Sequence, residues 1–260
     1  MLKNLFVHRR FLFGSFWSEF RFRYAGSVLG VFWFIVNPIL EAALYSFVFS
    51  YLIGLRAGDG RSGSYTIFLL CGLFPWLAFS SLIMHGSNAL NTSAVYLRRL
   101  AVSTDVFVAK ESLIALMTLV IYTIILIPVN IAFGNLPSWS MLILPVLAFL
   151  LVALGFGVSL IVSHLRVFFP DVGEILSVLV QLWRWTLPIN YALDMMPEWA
   201  RPVMQFNPPY HFLSSIRDVY LYGKLPSSEA WIHMLAWTFV FGLLGSLVSK
   251  RLGAEVKDLM

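Results

Sequence analysis

Apolar residues gather into long runs at about 31–55, 65–90, 106–133, 141–162, 172–190 and 230–248, divided by short polar or basic connections. A helix rising about 1.5 Å per residue crosses a bilayer core in roughly 20 apolar residues. The pattern therefore predicts an all-α protein with six transmembrane helices. Gly134 to Ser138 is a minimal turn, while Arg56 to Ser64 is a polar loop and Asn91 to Asp105 a polar, basic one.

The fifth run is unlike the others. Asp171 and Glu174 stand at the spacing of an N-cap and a reciprocal carboxylate, which predicts a capped helix start. The run then carries Arg184 in its interior, stops at Pro188, and gives way to Asp194, Pro197, Glu198, Arg201 and Pro208-Pro209. Broken, polar backbone at membrane depth is tolerated only where protein buries it or where it lines a wet cavity. Residues 191–226 are accordingly expected to form a re-entrant outer segment at the mouth of a pathway.

Residues 1–25 interleave aromatics with bases. On a helical wheel Leu2, Phe6, Phe13, Phe16, Trp17, Phe20 and Tyr24 share one side, with Lys3, Arg10 and Arg21 on a flank, while Phe11 and Phe22 point away and Gly14 offers a kink. This describes a helix lying in the membrane interface; the plainer alternative is the positive flank of the first span.

Composition supports the membrane assignment: 59% of the 260 residues are hydrophobic, 12% are charged, and mean hydropathy is +0.81. So few charges cannot clothe a soluble globule of this length, and the chain reads as a single transmembrane domain, 1–260. The net charge of +5 comes from bases in short blocks at the ends of apolar runs, where topology and anionic lipid headgroups account for them, so no nucleic acid is implied. Lys3, Arg9, Arg10, Arg21, Arg23, Arg98, Arg99, Lys110, Arg166, Lys250, Arg251 and Lys257 fall on one face, against Arg56, Arg61, Arg201, Arg217 and Lys224 on the other. Both termini, including a tail at 249–260, are therefore expected in the cytoplasm.

Catalytic chemistry finds no foothold. The sequence holds no GxxxxGK[ST] loop, no HExxH and no GxSxG, its five histidines are scattered without neighbouring carboxylates, and Cys71 is its only cysteine. No catalytic residue, metal or cofactor is expected in this chain, and no cleaved signal peptide is read at its start. Gly26 with Gly30, and Gly242 with Gly245, are read as helix-packing positions.

Several fragments, in order, resemble the membrane subunit of type-2 ABC exporters that move O-antigen and capsule polysaccharides. They are Arg23-Tyr24-Ala25-Gly26-Ser27-Val28-Leu29-Gly30-Val31-Phe32-Trp33 with Asn37-Pro38, then Gly72-Leu73-Phe74-Pro75-Trp76 with Phe79-Ser80-Ser81. Asp171 through Gln181, Pro188-Ile189 with Tyr191, Asn207-Pro208 and Arg217-Asp218 complete the set. Two departures stand out: Arg184 between Trp183 and Trp185, and Leu100-Ala101-Val102-Ser103 where a proline is usual. The resemblance implies a homodimer paired with two copies of a separate P-loop ATPase, which would hold the ATP and Mg. It also implies a lipid-linked polysaccharide moved outward across the bacterial inner membrane.

A sugar polymer presents hydroxyls and CH faces, so its path wants aromatic platforms and a few donors. Trp33, Tyr45, Trp76, Phe79, Trp183, Trp185 and Tyr191 are the candidate aromatics, with ordinary packing and the interfacial belt as the alternative. Glu41 and Arg184 lie at similar depth in their runs; an unpaired charge there costs roughly 3 kcal/mol or more, so they are expected to pair or to line the channel together. For Tyr96, Leu97, Arg98, Arg99 and Leu100, the resemblance implies a short helix that couples to the ATPase, with Leu97 or Leu100 buried; simple positive-inside ballast is the other reading. The function expected is polysaccharide export. Export of a small amphiphile by the same machinery, or a membrane enzyme of glycan assembly, are the alternatives.

Overall fold

The computed structural model describes residues 2–25, 32–48, 64–100, 102–132, 134 and 136–259. Among them there are helices, turns and no strand, as the apolar periodicity requires. The helices are α1 (Leu2–Val7), α2 (Arg9–Ala25), α3 (Trp33–Ser46), α4 (Ser64–Thr92), α5 (Ala94–Arg99), α6 (Thr104–Ala132), α7 (Leu144–Phe168), α8 (Val172–Thr186), α9 (Ala200–Gln205), α10 (Tyr210–Tyr222) and α11 (Ser228–Leu259). Short 3-10 turns at Trp139–Ile143 and Leu193–Met195 lead into α7 and follow α8.

Among the described residues four segments are long and apolar enough to cross a membrane: Tyr65–Thr92, Thr104–Ala132, Trp139–Phe168 and Ser228–Leu259. They coincide with the expected second, third, fourth and sixth runs. The first expected span, 31–55, falls only partly within the described residues, where α3 has 14 residues. α8 has 15, rising about 22 Å against a hydrocarbon core of about 30 Å. It ends at Thr186, short of the expected boundary at 190, because Pro188 comes two residues later. The Asp171 side chain makes no capping bond; its backbone is already helical, so the acids at 171 and 174 meet only the positive end of the helix. The residues expected as a tail, 249–260, continue α11 to Leu259, and Val256 among them is fully buried.

α4 is the axis of the bundle. In its most apolar window 72% of residues are buried, against 17% for α11, which lies at the periphery. Trp76, Phe74 and Phe79 are among its fully buried side chains, and Phe74 stacks on Tyr122 of α6 at 4.5 Å. Small residues bring α7 close to its neighbours. A Cβ on Gly155 would lie 2.6 Å from Leu82 of α4, and one on Gly157 would lie 2.5 Å from the Phe241 backbone of α11. Gly245 meets the Gly157 carbonyl in the same way; the Gly242 backbone N lies at the same crossing, 2.8 Å from where a Gly157 Cβ would be, but a Cβ on Gly242 itself would point into open space. Gly26 and Gly30 lie outside the described residues.

A second apolar cluster closes the end of the bundle that carries both chain ends, termed the base. It joins Leu12 of α2, Leu97 of α5, Val106 and Phe107 of α6, Leu160 of α7 and Val256 of α11. Phe11 packs edge-on against Phe107 at 5.8 Å, which is why it left the apolar face of the N-terminal helix. α2 thus has two apolar sides, one against the bundle and one, with Phe13 and Trp17, exposed. Gly14 does not interrupt it; the break between α1 and α2 falls at His8.

If the α7–α11 crossing depends on close backbone approach, Gly157→Ala should lower stability by about 1–3 kcal/mol, the usual cost of overpacking. Gly242→Ala should leave it unchanged. Thermal unfolding of the two purified variants in one detergent checks the difference.

Candidate functional site

At the end opposite the base, the chain leaves α8 through Leu187 to Tyr191, and Pro188 can offer no N–H to a helix. The carbonyls stranded by that break need donors. Arg217 of α10 supplies them. Its Nη1 donates to Pro188 O at 2.6 Å, its Nη2 to Ile189 O at 2.8 Å, and its Nε to Phe68 O on α4 at 3.0 Å. The guanidinium also sits over the Phe68 ring, 3.7 Å from its centre. Tyr65 Oη adds a bond to Asn190 O at 2.9 Å.

Base counting assigned Arg217 only to a face of the membrane; in the fold it is 7% exposed. Burial pushes its pKa down to about 10, which leaves it a cation at neutral pH. Gly72 has no Cβ because one would lie 2.3 Å from Arg217 Nη2. Around this clamp, Trp183 Nε1 donates to Asn207 Oδ1 at 2.8 Å and Asn130 Nδ2 of α6 to Tyr220 O at 3.0 Å. Tyr191 Oη donates toward the last carbonyls of α8, Trp185 O at 3.0 Å and Thr186 O at 3.1 Å.

The candidate path residues fall into two groups. Trp183 meets Trp76 and Phe79 edge-on, each at 5.8 Å, and the latter two are buried in the core at 2% exposure. Arg184, Glu41 and Tyr45 form the other. Arg184 Nη2 lies 2.6 Å from Glu41 Oε1, and its guanidinium is 5.1 Å from the Tyr45 ring centre. The Arg184 and Glu41 side chains keep 18% and 29% exposure. Neither Nε nor Nη2 of Arg184 makes an aligned hydrogen bond, so the contact is an ion pair held by charge and proximity. Trp33 and Trp185 are exposed. In α5 the buried anchor is Leu97, while Tyr96, Arg98, Arg99 and Leu100 are exposed.

The base holds a polar chain that sequence distance concealed. His164 Nδ1 lies 2.7 Å from Leu160 O, which can only accept, so Nδ1 carries a proton. Its Nε2 is 3.2 Å from Thr104 Oγ1, which is 3.4 Å from Ser249 Oγ, and Ser249 donates to Asp105. His164 is thus linked to a carboxylate through two hydroxyls, across α6, α7 and α11. Among the described residues no group of three or more His, Cys, Asp or Glu could hold a metal.

A buried clamp beneath a polar break, a charge pair beside an aromatic ring and a basic helix on a buried leucine, all in an all-helical membrane bundle, are features of a transport subunit. The chain belongs to the ABC-2 type transporter membrane family, whose model matches residues 11–221. It is 31% identical over 253 residues to the O-antigen export system permease protein RfbA of Klebsiella pneumoniae, covering 94% of this chain and 92% of that one. The permease of the same name from Myxococcus xanthus is 24% identical, over 92% and 91% of the two chains. The polysialic acid transport protein KpsM of Escherichia coli is 23% identical, over 88% of each.

The geometry makes two outcomes measurable. Arg217→Lys keeps the charge but cannot hold three diverging carbonyls, so stability should fall by about 3 kcal/mol or more, read from thermal unfolding of the purified protein. For the other group, Glu41→Arg and Arg184→Glu should each impair transport, and the double variant should recover part of it. A double variant no better than either single one would refute a direct pair.

Proposed function

We propose that this chain is the membrane subunit of an ATP-driven exporter that moves a lipid-linked polysaccharide outward across the bacterial inner membrane. The observation that carries this reading is the Glu41–Arg184–Tyr45 group, a polar and aromatic surface on two helices, in a chain whose polysaccharide-exporting relatives match it almost end to end. An ion pair keeps the cost of charge low in an apolar setting, and an aromatic ring gives a sugar's CH face a partner without fixing it in one pose. Loose recognition of this kind suits a polymer that must slide.

On this reading α3 and α8 belong to the first and fifth of six spans, and residues 191–226 form the re-entrant outer segment. The base faces the cytoplasm with both termini, and α1 and α2 lie in the membrane interface with Phe13 and Trp17 toward lipid. The chain works as a homodimer with two copies of a separate P-loop ATPase, which holds the ATP and Mg. The exposed stripe Ile175, Val178, Leu179 and Leu182 on α8 supports a partner helix there, since these residues recur at helical spacing on one side. Arg98 and Arg99 would meet acidic groups of the ATPase, a role supported by their position at the end of α5 beside the buried Leu97.

Deletion of the gene should leave polymer inside the cell, still attached to its lipid carrier, with little at the surface. Normal surface polymer would reject polysaccharide export and leave the small-amphiphile alternative. Arg98→Glu with Arg99→Glu should insert normally, as judged by its level in membranes, while ATP hydrolysis no longer drives export; unaltered export would remove α5 from the coupling contact.

A further inference from the structure

Two adjoining cavities of about 510 and 520 Å³ open at the base between α2, α4, α6 and α7, with α5 as their floor. Glu19, Lys110, Ser93 and Tyr96 line both. Lys110 pairs with Glu19 of α2 across the boundary and lies 3.4 Å from Glu111. The second cavity adds Asn88 and Arg166, the latter held by Ser87 at 3.0 Å.

The lining is charged but balanced: the carboxylates of Glu19 and Glu111 offset Lys110 and Arg166. A site for a phosphate would leave its cations unopposed, and here two carboxylates would repel the anion. Balanced carboxylates, an amide and cationic donors instead match hydroxyls, each of which donates one hydrogen bond and accepts others. The half-buried Phe11 and the exposed Tyr96 line the first cavity and give apolar surface for CH groups. The volumes lie in the range of ligand sites, about 300–1,000 Å³, and far exceed the roughly 30 Å³ of a water.

We propose that this paired cavity binds sugar residues of the polymer on the cytoplasmic side before export, and that Tyr96 passes its occupancy to α5. Tyr96 stands on the same short helix as Arg98 and Arg99, so a ligand against it touches the element aimed at the ATPase. The site lies at the opposite end of the bundle from the Arg217 clamp. It rests on the polysaccharide-export reading, and would let the exporter hydrolyse ATP faster when polymer waits at its inner face.

The test uses the full complex with its ATPase in lipid vesicles, and lipid-linked polymer extracted from the producing cells. The readout is the ratio of ATP hydrolysis with polymer to hydrolysis without it. Thr92 is exposed and lines the second cavity, while the native Cys71 is fully buried, so a bulky maleimide reacts selectively with Thr92→Cys. Alkylation there should bring the ratio to near one, whereas alkylation of Lys224→Cys, exposed in the turn between α10 and α11, should not. Asn88→Leu should raise the polymer concentration giving half stimulation by about tenfold. A ratio preserved after Thr92→Cys alkylation would overturn the proposal, as would equal stimulation by the lipid carrier of the same cells without sugar. Absence of stimulation in the unmodified complex, with polymer still accumulating in deletion cells, would overturn the sensing site alone. Absence of stimulation together with normal surface polymer in those cells would bring down the export reading and this site with it.

Discussion

Three backbone carbonyls converge on one guanidinium, and the end of the bundle opposite the base depends on that junction. Pro188 breaks α8 where the chain is buried inside the protein and unpaired carbonyls are costly, and Arg217 answers two of them while reaching Phe68 on α4 with its third donor. The junction fixes the path of the chain after α8, the seat of α10 and the absence of a side chain at residue 72. It also sets where α8 lies on α4, since Trp183 is held between the Trp76–Phe79 pair and Asn207. Arg184, the next residue on α8, takes its position from the same seat, and with it the contact to Glu41.

The two ends of the bundle are built differently. One is a break satisfied by a buried cation. The other is an apolar cluster in which α2, α5, α6, α7 and α11 meet, with the His164–Thr104–Ser249–Asp105 chain beside it. Such a cluster can transmit displacement of α5 because Leu97 packs against the same residues that position α2 and the end of α11. Under the proposed function, α5 on this base and the polar break near α8 are the two places that an ATP-driven cycle would connect.

Much of this was legible in the sequence where one strong term governs. The four long helices lie close to the expected runs because hydropathy over about 20 residues outweighs local preference. The Glu41–Arg184 contact was legible because two charges at equal depth in apolar runs have few alternatives to meeting. Arg217 was not, because a cation beside Asp218 in a polar stretch looks exposed until the carbonyls it serves, 28 and 149 residues away, are brought to it. The polar chain at His164 was hidden in the same way, its partners lying on α6 and α11. Asp171 had the spacing of a cap, but the backbone was already helical there and left its side chain no amide to serve. The one residue that could have hinted at the clamp is Gly72, a glycine in a helix interior with no turn to explain it.

On the proposed function, the Glu41–Arg184–Tyr45 surface meets the exported chain of sugars. A photoreactive phenylalanine analogue in place of Tyr45, irradiated in cells that are exporting, tests it directly, with the same analogue at the exposed Ile232 of α11 as the lipid-facing control. Polymer should be joined to the protein at position 45 and lipid alone at 232. Lipid alone at both positions would contradict it.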